Sequence, residues 1–264
     1  MENQDNWESG DLYERFMGRW SRLTAVQFLK WLEAKHGLIW LDLGCGTGAL
    51  TAVLQQQTYP RRIIGIEPSP TFVETAQSRH GNAFTHFKVG NATHISIADN
   101  AVDVLVSALA FNFFPDPQAA LLEMQRVVKP GGTIALYVWD YAGEMQFLRY
   151  FCDTAVSLNP TAAEQDEGNR FPICQPEPLH QCFTEAGLQD VSVAPLDTPT
   201  HFANFTDYWQ PFLGGVGPAP AHFAALAQAE QQQFEQTLRY ALPIAEDGSI
   251  PLIARAWAVR GRVN

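Results

Sequence analysis

Residues 40–48 read WLDLGCGTG. An apolar run ends on an acid, Asp42, and passes at once into three glycines at alternate positions, Gly44, Gly46 and Gly48. Glycine loses more conformational freedom on folding than other residues. It is favoured where φ must turn positive or where another group must come close. A strand, a glycine turn and a helix in succession make a cradle for phosphates or nucleotides at the carboxyl edge of an open α/β sheet.

Two ligands fit these residues. Gly44, Gly46 and Ala49 have the spacing of a dinucleotide-binding loop, and Glu67, closing the next apolar run (RIIGIE), could hold ribose hydroxyls. Asp42 favours the other. A carboxylate at the mouth of the loop repels a pyrophosphate and suits a cation, while the helix N-terminus after the glycines can still receive a carboxylate. S-adenosylmethionine carries a cation, a carboxylate and a ribose together.

The elements that must position this loop are legible as alternating periods. Residues 12–17 and 20–35 carry apolar side chains at helical spacing, and Gly37 stops the second segment. Short apolar runs at 38–43, 62–67, 84–89, 102–109 and 133–139 read as strands, with helices over about 47–57, 69–80 and 116–128 between them. Residues 188–194 and 251–259 read as two further strands. Such alternation implies a parallel sheet covered on both faces. The expected fold is α/β, an open, doubly wound, mostly parallel seven-stranded sheet with helical cover elements. Residues 1–37 form an N-terminal helical cover and residues 38–264 the main domain, with helical insertions at about 141–187 and 200–245.

With 264 residues, 46% hydrophobic and 17% charged, the chain can bury a sizeable core and is not of a disordered class. Its formal net charge of −11 argues against nucleic-acid and anionic-membrane partners, both of which need basic patches. No apolar run reaches the roughly 18 residues of a membrane span. The polar start, MENQDNWESGD, is unlike a signal peptide, so a cytoplasmic protein is expected. Cys45, Cys152, Cys174 and Cys182 are widely spaced without a CxxC pair, which predicts free thiols and no metal. The sequence does not indicate an oligomeric state.

At this point the chain resembles the class I S-adenosylmethionine-dependent methyltransferases. LDLGCGTG (41–48) is similar to the first motif of the family and GIEPSP (65–70) to the second. VGNATHIS (89–96) resembles the segment that reaches the adenine, DVLVSALAFNFFPD (103–116) the fourth strand with its active-site loop, and VVKPGGTIALYVW (127–139) the turn into the fifth strand. The resemblance implies S-adenosylmethionine as cofactor, held by Asp42, Gly44, Cys45, Gly46, Gly48, Glu67, Pro68, Asn91, Ala92 and Ala108. YERFMGRWSRLT (13–24) looks like the N-terminal helices of small-molecule methyltransferases, and implies Arg22, or else Arg19, as partner of the methionine carboxylate. The late stretches 207–220 and 247–261 look like those of bacterial members with unassigned substrates. Two departures stand out. Asn91 replaces the usual Asp, its amide oxygen still able to accept from the adenine amine. Phe111-Asn112-Phe113-Phe114 occupies a loop that often carries His, which removes the obvious general base.

Methyl transfer from a sulfonium is an in-line displacement that chiefly needs alignment and exclusion of water, so the lack of a catalytic dyad does not argue against an enzyme. The expected acceptor is a small, partly apolar molecule methylated on oxygen or nitrogen. Tyr13, Trp20, Phe113, Trp139 and Trp209 are the candidate walls of its site, and Asn112, Asp140 and Tyr141 the candidate polar groups for chemistry. The alternative is a non-catalytic cofactor-binding protein, or a non-methyl reaction on the same fold.

Overall fold

The computed structural model describes residues 18–33, 35–214 and 218–264. The expected helix at 12–17 and Tyr13 lie outside these residues. Among them the chain forms a seven-stranded sheet from β1 (Ile39–Leu43), β2 (Arg62–Glu67), β3 (Thr85–Val89), β4 (Val102–Ala108), β5 (Val128–Trp139), β6 (Gln189–Phe202) and β7 (Ile250–Arg262). The spatial order is β3-β2-β1-β4-β5-β7-β6. β1 to β5 pair in parallel, and β7 runs antiparallel to β5. The near-continuous apolar runs of β1, β2 and β4 are what a parallel sheet buried on both faces requires, whereas the edge strand β3 buries only alternate residues.

The helices start where local chemistry favours it. Helix α1 spans Arg19–Trp31, α2 Ala49–Thr58, α3 Pro70–His80 and α4 Pro117–Val127. Ser69 caps α3 by accepting from the Phe72 N–H at 3.4 Å, and Asp116 caps α4 by accepting from the Ala119 N–H at 3.0 Å. Each cap is followed by a proline at the first helical position, where its missing N–H costs nothing.

The elements differ from expectation mainly in length. α1 ends at Trp31 rather than 35. β5 begins at Val128, with an irregularity in its pairing to β4 between Val102 and Val104. β6 runs to Phe202, eight residues past the expected 194, because Leu196, Thr198, Thr200 and Phe202 bury alternately while Pro199 is tolerated on an edge strand. The expected late helices break into Phe205–Trp209, a tight turn at Gln210–Gly214, Pro218–Ala225 and Gln228–Ala241.

The strand order reverses between β1 and β4. The loops leaving these two strands diverge there, and the crevice between them is where open α/β sheets bind ligands. The glycine loop follows β1 and residues 109–114 follow β4, so the topology brings both to the switch point.

The chain divides into two compact units. One comprises residues 21–139, 173–196 and 256–264, and the other, among the described residues, 18–20, 140–172 and 197–255. The second unit has an aromatic core. The Phe151 ring lies 4.6 Å from Phe212 and 4.7 Å from Phe234, and Phe147 lies 4.7 Å from Phe212. The Tyr208 hydroxyl, fully buried, donates to the Phe147 carbonyl at 2.9 Å. No helix among the described residues is long and apolar enough to cross a membrane.

Phe151 sits at the centre of this cluster and is 1% exposed. Phe151→Ala is expected to destabilise the protein by about 3–5 kcal/mol, the range for deleting a buried aromatic side chain. Denaturant unfolding checks this. A loss below about 1 kcal/mol would show that the cluster collapses freely around the cavity.

Candidate functional site

The glycine loop adopts the backbone its sequence demands. Gly44, Gly46 and Gly48 have φ of +71°, +52° and +93°, in the left-handed region that side chains resist. Two of them serve different ends. A Cβ on Gly44 would stand 2.6 Å from the Ala110 Cβ, so this glycine lets the loop after β4 close against the loop after β1. A Cβ on Gly46 would meet no atom within 4 Å. Gly46 therefore faces open space on the side where a Cβ would stand, and leaves room there for a group from outside the chain. Cys45 turns its thiol into the core with Ala76 and Phe87, so only its backbone is available to a ligand.

Glu67 ties the loop down. Its Oε2 accepts from the Gly46 N–H at 3.0 Å and its Oε1 from the Ser69 N–H at 3.1 Å. Burial raises its pKa above the usual carboxylate value, against these two hydrogen bonds. Pro68 beside it is exposed.

Asp42 is wholly buried beneath the loop. Thr51, in the first turn of α2, donates its hydroxyl to Asp42 Oδ2 at 2.6 Å, while Oδ1 is buried and makes no hydrogen bond. Desolvation, aided by the Glu67 charge, lifts the Asp42 pKa from 3.8 to about 7. A buried acceptor oxygen without a donor, next to an open glycine cradle and a ribose-competent carboxylate, fits a ligand with a positive centre. The Thr51 contact was not legible in the sequence. The only hint was a hydroxyl one turn into the helix after the loop.

Across β2 lies the segment expected to reach the adenine. Here the structure corrects the sequence reading. Asn91 Oδ1 already accepts from the Thr93 N–H at 3.1 Å, the Thr93 hydroxyl at 3.1 Å and the His94 N–H at 2.9 Å. The amide oxygen closes its own turn, as Asn side chains do, and is not left over for an adenine amine. What Asn91 offers outward is its amide N–H group, with Ala92 buried behind it. Glu123 and Arg126 on α4, missed in the sequence, strap this segment. Glu123 Oε2 accepts from the Ile95 N–H at 2.9 Å, and Arg126 donates to the carbonyls of Ile95 and Ile97 at 2.8 and 2.9 Å. Their three-residue spacing on a helix was the available signal.

The chain turns sharply after β4. Ala108 pairs with Tyr137, and Leu109 then takes φ of +57°, a conformation rare for a branched residue and costly unless its surroundings enforce it. A 3-10 turn over Phe111–Phe113 follows. Phe111 is fully buried and Phe113 is 43% exposed. Between them, Asn112 Oδ1 and Nδ2 are both buried and neither has a hydrogen-bond partner. Arg22 is exposed on α1.

The other expected residues have structural employment. Trp139, 2% exposed, ends β5 and pairs with Ala256. In the second unit, the Asp140 carboxylate accepts from the Glu144 N–H at 2.9 Å and so caps the turn after β5. The Tyr141 ring packs 5.7 Å from Phe171, and the Tyr141 carbonyl accepts from Arg149 at 3.2 Å. Trp20 packs edge-on to Phe202 at 5.4 Å. Trp209, expected as a pocket wall, is 7% exposed and sits in the aromatic core, 4.7 Å from Phe223. Arg19, the alternative carboxylate partner, pairs with Asp207 at 3.2 Å. Cys152, Asp166 and Glu167 bring ligand atoms within 4.8 Å of one another, but both oxygens of Asp166 accept from Arg149, at 2.7 and 2.8 Å. A cation already occupies the place where a metal would need charge.

Residues 41–136 match the family model described as a methyltransferase domain. The chain is 26% identical over 171 residues to the arsenite methyltransferase of Halobacterium salinarum, covering 63% of this chain and 41% of that protein. It is 32% identical over 94 residues to the malonyl-[acyl-carrier protein] O-methyltransferase of Hahella chejuensis, covering 36% of this chain and 34% of that protein. The chain thus spans less than half the length of either relative. Among solved structures it is similar in fold to the [4+2]-cyclase SpnF, with TM-score 0.55 and 20% identity over 92% of this chain and 81% of that one.

A carboxyl whose folded pKa is raised binds its proton more tightly in the folded chain than in the unfolded one. For Asp42 the resulting stability is fully present below the unfolded value of 3.8 and is lost as pH rises through about 7. The loss amounts to at most about 4 kcal/mol. Asp42→Asn cannot titrate and keeps an oxygen for Thr51. Melting temperatures of the ligand-free protein should fall from about pH 4 to pH 7 more steeply in the parent than in this variant. Parallel profiles would mean that Asp42 does not hold its proton.

Proposed function

We propose that this chain, whose residues 41–136 match the model of a methyltransferase domain, is an S-adenosylmethionine-dependent enzyme that transfers a methyl group to oxygen or nitrogen of a small, partly apolar molecule. The observation that carries the cofactor half of this reading is the pairing of an open cradle at Gly46 with the buried, unbonded Oδ1 of Asp42. S-adenosylmethionine, when bound, supplies a methyl group already activated by its sulfonium. The chain must then bind, orient and exclude water.

Each residue has a role in that task. The backbone of Gly44, Gly46 and Gly48 would lie along the cofactor, and Glu67, with lone pairs beyond those used by Gly46 and Ser69, would take the ribose hydroxyls. Asp42 would give up its proton as a cation settles nearby, because an opposite charge favours the ionised form. Asn91 would offer its amide N–H to an adenine ring nitrogen. Arg22 remains our candidate for the methionine carboxylate. Asn112 and Phe113 would meet the acceptor. No side chain in the 109–114 turn can serve as a base, so this turn itself takes no proton from the acceptor.

The acceptor itself is not given by resemblance, since one relative is named for arsenite and another for malonyl-[acyl-carrier protein]. The acidic balance of the chain favours a small molecule over nucleic acid. Four buried free thiols suit a reducing, cytoplasmic setting. A second reading, a non-methyl reaction on this fold, draws support from the likeness to a cyclase.

Calorimetry should show binding of S-adenosylmethionine and its demethylated product, and none of nicotinamide dinucleotides. Glu67→Ala should weaken binding by about 1.5–3 kcal/mol, the range for hydrogen bonds to a charged group. Gly46→Val should abolish binding in a chain that still melts cooperatively, since a branched side chain resists positive φ and fills the cradle. Unchanged affinity in both variants would remove the cofactor from this loop.

A further inference from the structure

Residues 90–101 join β3 to β4 and belong to neither a helix nor a strand. They carry Asn91 and Ala92 on the nucleoside side of the switch point. The two ends of this stretch are fastened by local bonds. Asn91 closes its own turn, and the N–H groups of Asn100 and Ala101 donate to the carbonyls of Arg126 and Val127 at 2.9 and 2.8 Å. The middle is fastened by two side chains of α4. The Arg126 guanidinium donates five hydrogen bonds, as many as it has N–H groups. Nε and Nη2 reach the two oxygens of Glu123, both at 2.8 Å, and Nη1 reaches Asp99 Oδ1 at 2.6 Å. Nη2 and Nη1 also reach the Ile95 and Ile97 carbonyls, at 2.8 and 2.9 Å. Glu123 Oε2 completes the strap by accepting from the Ile95 N–H at 2.9 Å.

Glu123 and Arg126 are both partly exposed, and an ion pair in such a place adds little to global stability. What the forked geometry adds is direction, because a planar guanidinium holds its partners at fixed angles. The Arg126 hydrogen bonds, against partial desolvation, lower the Glu123 pKa from 4.5 to about 2, so the fork stays charged in neutral solution. Ala92 and Ile95 are buried. Apolar contact sets how deep the segment sits, and the fork sets its position along α4.

We propose that Glu123 and Arg126 are positioning residues for the purine of the cofactor: without touching it, they hold residues 91–97 where the Asn91 amide N–H faces a ring nitrogen of adenine and rejects a 6-oxo purine. This rests on the cofactor reading above and adds the base selectivity of that site. The two purines present opposite patterns. Adenine offers an acceptor at N1 beside an amino donor, whereas hypoxanthine offers an N1–H donor beside a carbonyl. A donor fixed opposite N1 pairs with the first. With the second it leaves two N–H groups facing each other, and neither is paired. A segment free to slide along α4 moves its donor away from that clash, and the difference between the two bases shrinks. The two side chains on α4 supply precision of placement and make no contact with the ligand.

Calorimetry on the full chain with S-adenosylhomocysteine and its deaminated, 6-oxo counterpart S-inosylhomocysteine tests this. The parent should bind the adenine form at least about tenfold more tightly. Arg126→Leu should weaken the adenine form about tenfold and the 6-oxo form about twofold or less, so that the preference collapses. Arg126→Lys keeps the charge without the fork and should lose the preference as well. It carries the same two titrations if the leucine variant does not fold. Hydrogen exchange of either ligand-free variant should quicken over residues 91–97 and stay unchanged in β1 and β4. Equal weakening of both ligands, unchanged affinities, or faster exchange through the whole sheet would each overturn the proposal and leave the strap a structural tie. A parent that binds both forms equally would overturn it too, with the cofactor reading intact. A parent that binds neither form would overturn the cofactor reading itself, and the purine selectivity with it.

Discussion

A carboxyl group buried under a loop of bare backbone is the constraint on which the rest of this architecture turns. Asp42 has no solvent contact and only one hydrogen-bond donor, Thr51. The apolar strands around it make ionisation of such a group costly, and the Thr51 hydrogen bond offsets that cost only in part. Its burial makes it sensitive to any charge brought near, since a low-dielectric site magnifies electrostatic interactions. The glycines above it supply the approach, Glu67 fixes their position, and the reversal of strand order between β1 and β4 supplies the crevice.

The two sides of that crevice are built by different means. On the β2 and β3 side, position is set by hydrogen bonds to backbone: Glu67 to the glycine loop, and Glu123 and Arg126 to residues 95–97. On the β4 side it is set by packing and backbone strain, through Leu109, Phe111 and the close approach of Ala110 to Gly44. The first arrangement suits a ligand of constant shape. The second can be altered by changing one aromatic or one polar side chain in a short turn.

Much of this was legible in the residues, for physical reasons that can be named. Glycine spacing reports backbone geometry directly, so the left-handed loop after β1 and the place of Glu67 at the end of β2 could be read from sequence. The strands could be placed because buried parallel strands are uninterrupted apolar runs. Side-chain hydrogen bonds were not legible in the same way. The Asn91 oxygen is consumed by Thr93 and His94, and Asp140 caps the turn to Glu144; both depend on turns that the sequence only hints at. Trp209 was misread as a pocket wall because an aromatic in a late insertion looks the same whether it faces a ligand or, as here, the rings of Phe151, Phe205, Phe212, Phe223 and Phe234. The extension of β6 was hidden by Pro199, which is a strand breaker everywhere except at an edge.

The position of β7 has a consequence for how the chain is made. β7 comes last in sequence among the strands, yet it lies between β5 and β6 in the sheet. As the chain leaves the ribosome, β6 emerges about fifty residues before the strand it must pair with. Until then the growing sheet ends at β5, with an open row of unsatisfied N–H and C=O groups beside a second extended segment of similar length. Such edges are the sites at which chains pair wrongly with one another. The helices encoded between β6 and β7 fill that interval, and their early collapse would keep the waiting strand from its neighbours on other ribosomes.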